Sequence, residues 1–452
     1  MSLTASDKDL IMKNSVGSLM NRREFIHLCA LSAAGFAAGC ATNPVTGESQ
    51  FMLVSEADEI KMDRFYSPQQ LSSDFGVVQD KQLEQYLQSV GKSMAAKTHR
   101  PQMPYLFLPV NATYVNAYAF PGGTIDCTGG ILLILENEAE LAALMGHELW
   151  AVNARHTAEI MSKSQLTSAI VGGVAVIAGV YDKNYGGVAA QIGMLGSGAL
   201  LASYSRDNER QADDLGIEYM VKAGYSPEGM VGLMDMLKSM SNHKVSTADL
   251  LFATHPMSNE RYKTAVKTAS GKYNAAKSNP LHHERYMDNT AGVRKVKNAI
   301  FLMQQGDALM AQKKYTDAES RFNRALKLAP NDYAGLVKLS QCQLMMKNYK
   351  KADRSILLAK NAYPQEAQAY YLSGFIKLNR EDYVPAFSDF NTYDKKLPGN
   401  PYVIFYKGYS LEGQRRNKEA APYYNKFLQI VQQGKQAEHA YTRLKEWGYI
   451  KK

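Results

Sequence analysis

Two stretches in the first half of the chain are densely apolar and aromatic: "MPYLFLPVN" at 103–111 and "VNAYAFPGGTIDCTGGILLIL" at 115–135. Runs of this length, bounded by polar residues and broken by Pro-Gly-Gly, predict strands joined by a tight turn. The pattern then changes period. Across 136–163, "ENEAELAALMGHELWAVNARHTAEIMSK", Leu141, Leu144, Met145, Leu149 and Val152 recur at helical spacing, which predicts one long helix. His147 falls in its middle, on a helix apolar enough to be buried. A further helix is predicted over 203–227. Between the two lies a small, apolar, glycine-rich segment. Its first apolar run, Leu166–Tyr181, is shorter than the ~20 residues a membrane span needs. It predicts a packed helical hairpin over the long helix or, alternatively, a lid or membrane-contacting flap.

The last third of the chain repeats itself every 34 residues. Pro330, Pro364 and Pro398 share this spacing, as do Tyr315, Tyr349 and Tyr383, and Ala318, Ala352, Ala386 and Ala420. Gly306, Gly374 and Gly408 fall on the same grid, with Ser340 in the remaining place. This is the tetratricopeptide pattern. Small residues let two helices approach, aromatics fill the space between them, and proline ends each unit. About four units are expected over 297–433, with "AEHAYTRLKEWGY" as a terminal capping helix. The inner face of such an array binds a peptide or protein partner.

Composition and charge modify this picture in two places. Hydrophobic residues make up 45% of the 452, enough for packed cores in two or three domains. The net charge of +9 is concentrated after residue 294, where 27 Lys and Arg face 14 Asp and Glu. That surplus suits either a solvated helical face or an acidic partner. No basic-aromatic interleaving marks a nucleic-acid surface, so no nucleic acid is expected as a partner. The four cysteines, Cys29, Cys40, Cys127 and Cys342, form neither a disulfide framework nor a CxxC metal site.

The N-terminus reads as an address. Arg22-Arg23 before Phe25 resembles a twin-arginine export motif. A short apolar run follows and ends in Ala37-Ala38-Gly39-Cys40, which resembles a lipobox. On this reading Cys40 is the lipidated first residue of the mature chain and holds it to a membrane surface; the alternative is an ordinary signal peptide with an incidental cysteine. Ala41 after the cysteine points to the periplasmic face of the outer membrane by resemblance to envelope lipoprotein sorting. Residues 1–19 read as an extension ahead of Met20.

The candidate chemistry sits in "LMGHELWAVNARH". A zincin helix reads H-E-x-x-H because two histidines four apart share one helical face, and the glutamate between them acts as base toward a metal-bound water. His147 and Glu148 are in place, but Ala151 stands at the second histidine. His156 lies nine residues beyond His147, half a turn off at about 100° per residue, so it cannot serve from an intact helix.

"NAYAFPGG", "GHEL…NARH", "RDNERQADD" and "FATHPMSNERY" occur in the order found in the M48 family of zinc metallopeptidases, which this chain resembles. It is similar to the exported lipoprotein members that carry tetratricopeptide repeats. The resemblance implies an α+β fold: a mainly helical zincin-like metallopeptidase domain with a small β-sheet, then an α-helical solenoid. It implies one Zn2+ per chain, with His147 and Glu209 as ligands, Glu148 as general base, and Asp213 orienting a ligating histidine. His255 matches a histidine that regulates access to the metal or stabilises the transition state. Asn116, Ala117, Tyr118, Ala119 and Phe120 match the edge strand on which substrate backbone lies. Trp150 replaces a commonly small residue and is expected to add bulk beside the site. His255 is the candidate to replace the missing ligand, giving the set His147, Glu209 and His255.

These readings divide the chain into an export signal (1–39), a tether (40–59), a metallopeptidase domain (60–294) and a repeat domain (295–452). Two functions are expected. One is a cell-envelope zinc metalloendopeptidase acting on misfolded envelope proteins, impaired by Ala151. The other is a catalytically silent chaperone or adaptor that assembles envelope proteins through its repeats.

Overall fold

The computed structural model describes residues 40–159, 162, 205–243 and 246–450. The export signal and the glycine-rich segment around 166–204, with the hairpin or lid expected there, lie outside the described residues. The fold is mainly helical with a small sheet, followed by a helical solenoid, as the sequence leads one to expect.

The described chain opens on an antiparallel hairpin, β1 (Cys40–Thr42) and β2 (Ser49–Phe51). Asn43 Oδ1 accepts from the Val45 backbone at 2.8 Å, and Gly47 takes the turn's positive φ of 71°. Ser55 and Asp58 then form a capping box at the start of α1 (Glu56–Ser73). Residues 40–59 are therefore not the plain tether expected: their turn and cap chemistry pairs them and starts a helix. The side that α1 buries is polar. Glu59 binds Arg100 (2.7 Å) and Arg155 (3.1 Å), and Asp63 accepts from the backbone (2.9 Å) and hydroxyl (2.7 Å) of Thr124.

Asp80 caps α2 (Lys81–Ala95), whose Leu83, Leu87, Val90 and Met94 enter the core. A three-stranded sheet follows, of β3 (Leu106–Val110), β4 (Ala117–Ala119) and β5 (Thr124–Thr128). The order is β3-β5-β4, with β3 parallel and β4 antiparallel to the central strand. The stretch after Thr128, expected to continue as strand, becomes α3 (Gly129–Ile134), because the Thr128 hydroxyl accepts from Ile131 N at 3.3 Å and caps a helix.

Every residue of α4 (Glu138–Asn153) is buried. The single helix expected through 163 is broken: Arg155 has φ of 58°, and its guanidinium is held by Val54 O (2.7 Å) and Glu59. Against α4 crosses α5 (Arg206–Lys222), with glycine facing glycine. A Cβ on Gly146 would stand 2.8 Å from Gly216 O, and one on Gly216 would stand 3.0 Å from His147 N. This approach admits no side chain on either helix and brings the polar residues of α5 up to His147. The domain is completed by α6 (Glu228–Asn242), α7 (Asp249–Thr254), α8 (Asn259–Ser270), α9 (His283–Asn289) and α10 (Ala291–Lys295).

Four helix pairs carry the repeat pattern. They are α11 (Lys297–Ala311) with α12 (Tyr315–Leu328), α13 (Tyr333–Met345) with α14 (Tyr349–Ala362), α15 (Gln368–Leu378) with α16 (Tyr383–Lys396), and α17 (Pro401–Gly413) with α18 (Asn417–Leu428). The helix α19 (Lys435–Glu446) caps the array, as expected. Gly306, Gly374 and Gly408 each lie under a ring of the second helix: Phe322, Phe390 and Tyr424 come within 2.4, 2.6 and 2.9 Å of where a Cβ would be. The turn inside each pair uses a non-glycine residue at positive φ, at Lys313, Lys347, Glu381 and Arg415, again 34 apart.

The two domains are not separated by a linker. One apolar core runs from Leu83 in α2 through α4 and α5 to Phe322 and Cys342 in the repeats. Polar contacts add to it: Gln69 Nε2 donates to Pro398 O (2.9 Å), Gln304 Nε2 to Thr113 O (2.6 Å), and Lys338 stands 4.7 Å above the Phe75 ring. Among the described residues no helix is long and apolar enough to cross a membrane.

Candidate metal centre

The α4–α5 crossing sets the site. His147, at the middle of α4, meets Asp213 and Glu209, which sit one turn apart on α5. His255 arrives from the end of α7, where its backbone N–H bonds to Leu251 O at 2.7 Å. All four side chains are buried. His147 Nδ1 lies 3.1 Å from Asp213 Oδ1, and His147 Nε2 lies 3.1 Å from His255 Nδ1. His255 Nδ1 is also 3.0 Å from Glu209 Oε1, and His147 Nε2 is 3.8 Å from Glu209 Oε2. Glu148 closes the group: one donor atom each from His147, Glu148 and His255 lies within 4.8 Å of the others.

One residue gained no role from the sequence and has a central one here. Arg261, in the first turn of α8, places Nε and Nη2 each 2.7 Å from the two Asp213 oxygens, and Nη1 2.6 Å from Glu209 Oε2. Its Nη1 also donates to Pro256 O at 3.2 Å. The sequence signal was faint. Ser258 caps α8, so Arg261 at the third position of the first turn looks back toward the His255–Pro256 bend.

Burial opposes charge on both carboxyls. For Asp213 the hydrogen bonds from Arg261 and His147 outweigh it and hold the carboxyl below its usual range. For Glu209 the hydrogen bond from His255 and the charges of His147, His255 and Arg261 do the same. Burial lowers the His147 imidazolium's stability, yet the Asp213 hydrogen bond and the Glu209 and Asp213 charges raise its pKa overall. Both carboxyls are thus ionised at neutral pH. Two buried carboxylates thus face one guanidinium beside the two imidazoles, an arrangement with room for a cation.

The spacing also suits one ion. Two donors bound to one zinc at 2.0–2.1 Å and near the tetrahedral angle stand about 3.3 Å apart. The edges joining His147 Nε2, His255 Nδ1 and the Glu209 carboxylate are 3.1, 3.0 and 3.8 Å. Two imidazole nitrogens and a carboxylate form a donor set suited to zinc.

The structure brings His147, Glu148, Glu209, Asp213 and His255 together; Ala151 lies on α4 and offers no donor. The Trp150 ring lies on His156, centroids 4.2 Å apart, because the helix breaks at Arg155 and returns His156 onto it. His156 was set aside on the geometry of an intact helix, which the chain does not keep. The segment Asn116–Phe120 holds β4, an edge strand as expected, and all five residues are buried. Val115 N, just before it, donates to Thr247 O at 2.8 Å, so the segment leading to His255 is pinned at the start of this edge. Cys40 is the first residue of β1.

Two family models match parts of the chain. Residues 81–269 match the family model for Peptidase family M48, and residues 309–374 match that of the tetratricopeptide repeat. The Beta-barrel assembly-enhancing protease of Escherichia coli (strain K12) is 28% identical over 241 residues, covering 53% of this chain and 49% of that protein. Metalloprotease YcaL of the same strain is 31% identical over 159 residues, 35% of this chain and 60% of the relative. The chain thus spans about half the length of the assembly-enhancing proteases it matches. Among solved structures, the tetratricopeptide protein YrrB aligns with 46% of this chain and 97% of its own, at 15% identity and a TM-score of 0.31.

Proposed function

The chain carries a peptidase family M48 domain followed by tetratricopeptide repeats, and on that premise we propose that it is a zinc metalloendopeptidase of the bacterial cell envelope. Its substrates are misfolded or stalled envelope polypeptides, and its repeats hold a protein partner. It is anchored by a lipid on Cys40 at the periplasmic face of the outer membrane. The observation that carries the catalytic reading is the triangle of His147, His255 and Glu209, with Glu148 beside it.

In this reading His147 Nε2, His255 Nδ1 and Glu209 hold the zinc, and His255 takes the place that Ala151 leaves empty of a donor. Asp213 accepts from His147 Nδ1–H, which fixes the tautomer and turns the Nε2 lone pair toward the centre. Arg261 clamps both carboxylates and keeps them ionised. Zinc, when bound, supplies a Lewis acid and a water acidic enough to lose its proton near neutral pH. Glu148 is the carboxylate placed to accept that proton and return it to the leaving amine. β4 offers an edge on which an extended substrate can add as a strand.

With a substituted ligand, zinc affinity and turnover both fall below those of a complete H-E-x-x-H site. A second reading, a silent adaptor that captures envelope proteins through its repeats, rests on the same Ala151.

Zinc titration of the purified chain, of His255→Ala and of Ala151→His, with casein cleavage on each, separates them. The expected outcome is near-stoichiometric zinc in the parent, loss of at least tenfold in affinity in His255→Ala, and a rise in both affinity and cleavage in Ala151→His. Unchanged binding in His255→Ala discards the replacement ligand. A chain that binds no zinc yet retains envelope proteins establishes the adaptor.

A further inference from the structure

Residues 111–116 lead from β3 into the edge strand β4, and Ala112, Thr113, Val115 and Asn116 among them are buried. Buried backbone groups need partners, so what this turn bonds to fixes where β4 starts. Most of its bonds stay inside the peptidase domain. Asn111 Nδ2 donates to Phe75 O (2.9 Å) and Val77 O (3.1 Å), Tyr114 OH donates to Asp74 (3.0 Å), and Thr128 Oγ1 lies 2.6 Å from Tyr114 O. Thr113 is the exception. Gln304 Nε2 donates to its carbonyl at 2.6 Å, and its hydroxyl donates to Asp307 Oδ2 at 3.2 Å. Gln304 and Asp307 stand three apart on α11, so one face of the first repeat grips both the backbone and the side chain of this residue. Lys338 of α13 holds Asp307 in turn, with Nζ 2.7 Å from the same oxygen. On its other side the turn lies against α3: a Cβ on Gly130 would stand 2.3 Å from Tyr114 O and 2.5 Å from Thr113 O. The turn is therefore wedged between α3 and α11.

Two residues beyond Thr113 the chain grips the other side of the centre. Val115 N donates to Thr247 O at 2.8 Å. Thr247 lies in the 3-10 turn Ser246–Ala248, which runs straight into α7, and His255 follows the last residue of α7. A helix of six residues does not hold itself in water, so the place of α7 depends on what its ends are fixed to. One end is fixed to Val115. The same turn thus carries β4 on one side and the His255 segment on the other, and the repeat holds the turn.

We propose that Gln304 and Asp307 are positioning residues for the metal centre: acting through Thr113, they hold β4 and the His255 segment in place. Both lie between the stretches that the two family models match, 81–269 and 309–374. That they serve a zinc centre rests on the function proposed above, whereas the mechanical link does not. Removing the Gln304 amide leaves the buried Thr113 carbonyl without that donor, which favours local opening of the turn over its closed state.

Hydrogen exchange on the full chain reads the link directly. Gln304→Met keeps the volume and removes the donor. It should speed exchange of the Val115 and His255 amides at least tenfold and leave the amides of α17 and α18 within twofold of the parent. Gln69→Met is the control, since it removes another bond between the domains, to Pro398 O between α16 and α17, away from this turn. It should leave Val115 and His255 within twofold. Zinc affinity should fall at least threefold in Gln304→Met and hold in Gln69→Met. Should Gln304→Met fail to fold, Thr113→Val should speed the same two amides at least threefold, and Thr113→Ser, which keeps the hydroxyl, should not. Exchange at Val115 and His255 that is unmoved by Gln304→Met, or moved equally by Gln69→Met, overturns the proposal. So does faster exchange with an unchanged zinc affinity. A parent that binds no zinc removes the function proposed above, and the exchange measurements then still decide whether the repeat holds the turn.

Discussion

Replacing Arg261 by methionine is the sharpest probe of how the centre is held. The side chain is 5% exposed, and its guanidinium makes three contacts of 2.6–2.7 Å to two carboxylates. Methionine fills similar volume, so the cavity contribution is small and the change is mainly electrostatic. Glu209 and Asp213 would then face each other in a buried layer with only the histidines between them. Breaking a buried ion pair from one side costs about 3–5 kcal/mol, since the remaining charge is left uncompensated. Urea unfolding followed by circular dichroism should show a loss of that size for Arg261→Met. The double variant Arg261→Met with Asp213→Asn removes charge from both sides, so it should recover at least about 1 kcal/mol relative to the sum of the single effects. Zinc should also stabilise Arg261→Met more than it stabilises the parent, because the centre is then one charge more negative. A loss below about 1 kcal/mol, or strict additivity in the double variant, would show that Arg261 is a bystander at this crossing and refute the account.

Two other outcomes follow from the fold. Gly146→Ala puts a Cβ 2.8 Å from Gly216 O, so the helices must part by roughly half an ångström or more; about 1–3 kcal/mol of stability should be lost, with weaker zinc binding, whereas Gly129→Ala, which meets nothing closer than 3.4 Å, should cost little. At the end of the repeats, burial opposes ionisation of Glu412, but hydrogen bonds from His439 and Tyr424 and the charges of His439 and Arg443 lower its pKa; a depressed carboxyl stabilises above its unfolded value, near 4.5, and that stability disappears as pH falls through the lower folded value, so hydrogen exchange in α19 should accelerate below about pH 4.5 in the parent and less so in Glu412→Gln.

The repeats were legible because their signal is redundant. Alanine, tyrosine and proline all mark the same 34-residue grid, and each has a packing reason to be there. The buried helix around His147 was legible from its apolar period, and the order of four short motifs pointed to Glu209, Asp213 and His255. What escaped notice was local backbone chemistry. Arg155 takes a left-handed conformation because Val54 and Glu59 hold its guanidinium, and those contacts join residues about a hundred positions apart. No periodicity reports such a break, so the contact between His156 and Trp150 was not foreseen. The short helix after Thr128 was hidden because a short apolar run such as Ile131–Leu135 fits strand and buried helix equally well. Arg261 escaped because an arginine on a polar helix is usually solvated; only the position of the partner helix makes it buried.

The continuous core joining α2, α4 and α5 to Phe322 and Cys342 fixes the first repeats against the centre, and so, in the proposed function, how a polypeptide held by the repeats would meet it. An array on a flexible leash would raise the local concentration of a bound chain and let it search for the centre. Here the first repeats and the helices that carry the centre share one interior, so the bearing from one to the other is set when the protein folds. In the proposed function a held segment would be presented only at the distance and angle the masonry dictates, and the reach of the protein would become a ruler: which bond sits over the centre would depend on how many residues lie between it and the held segment.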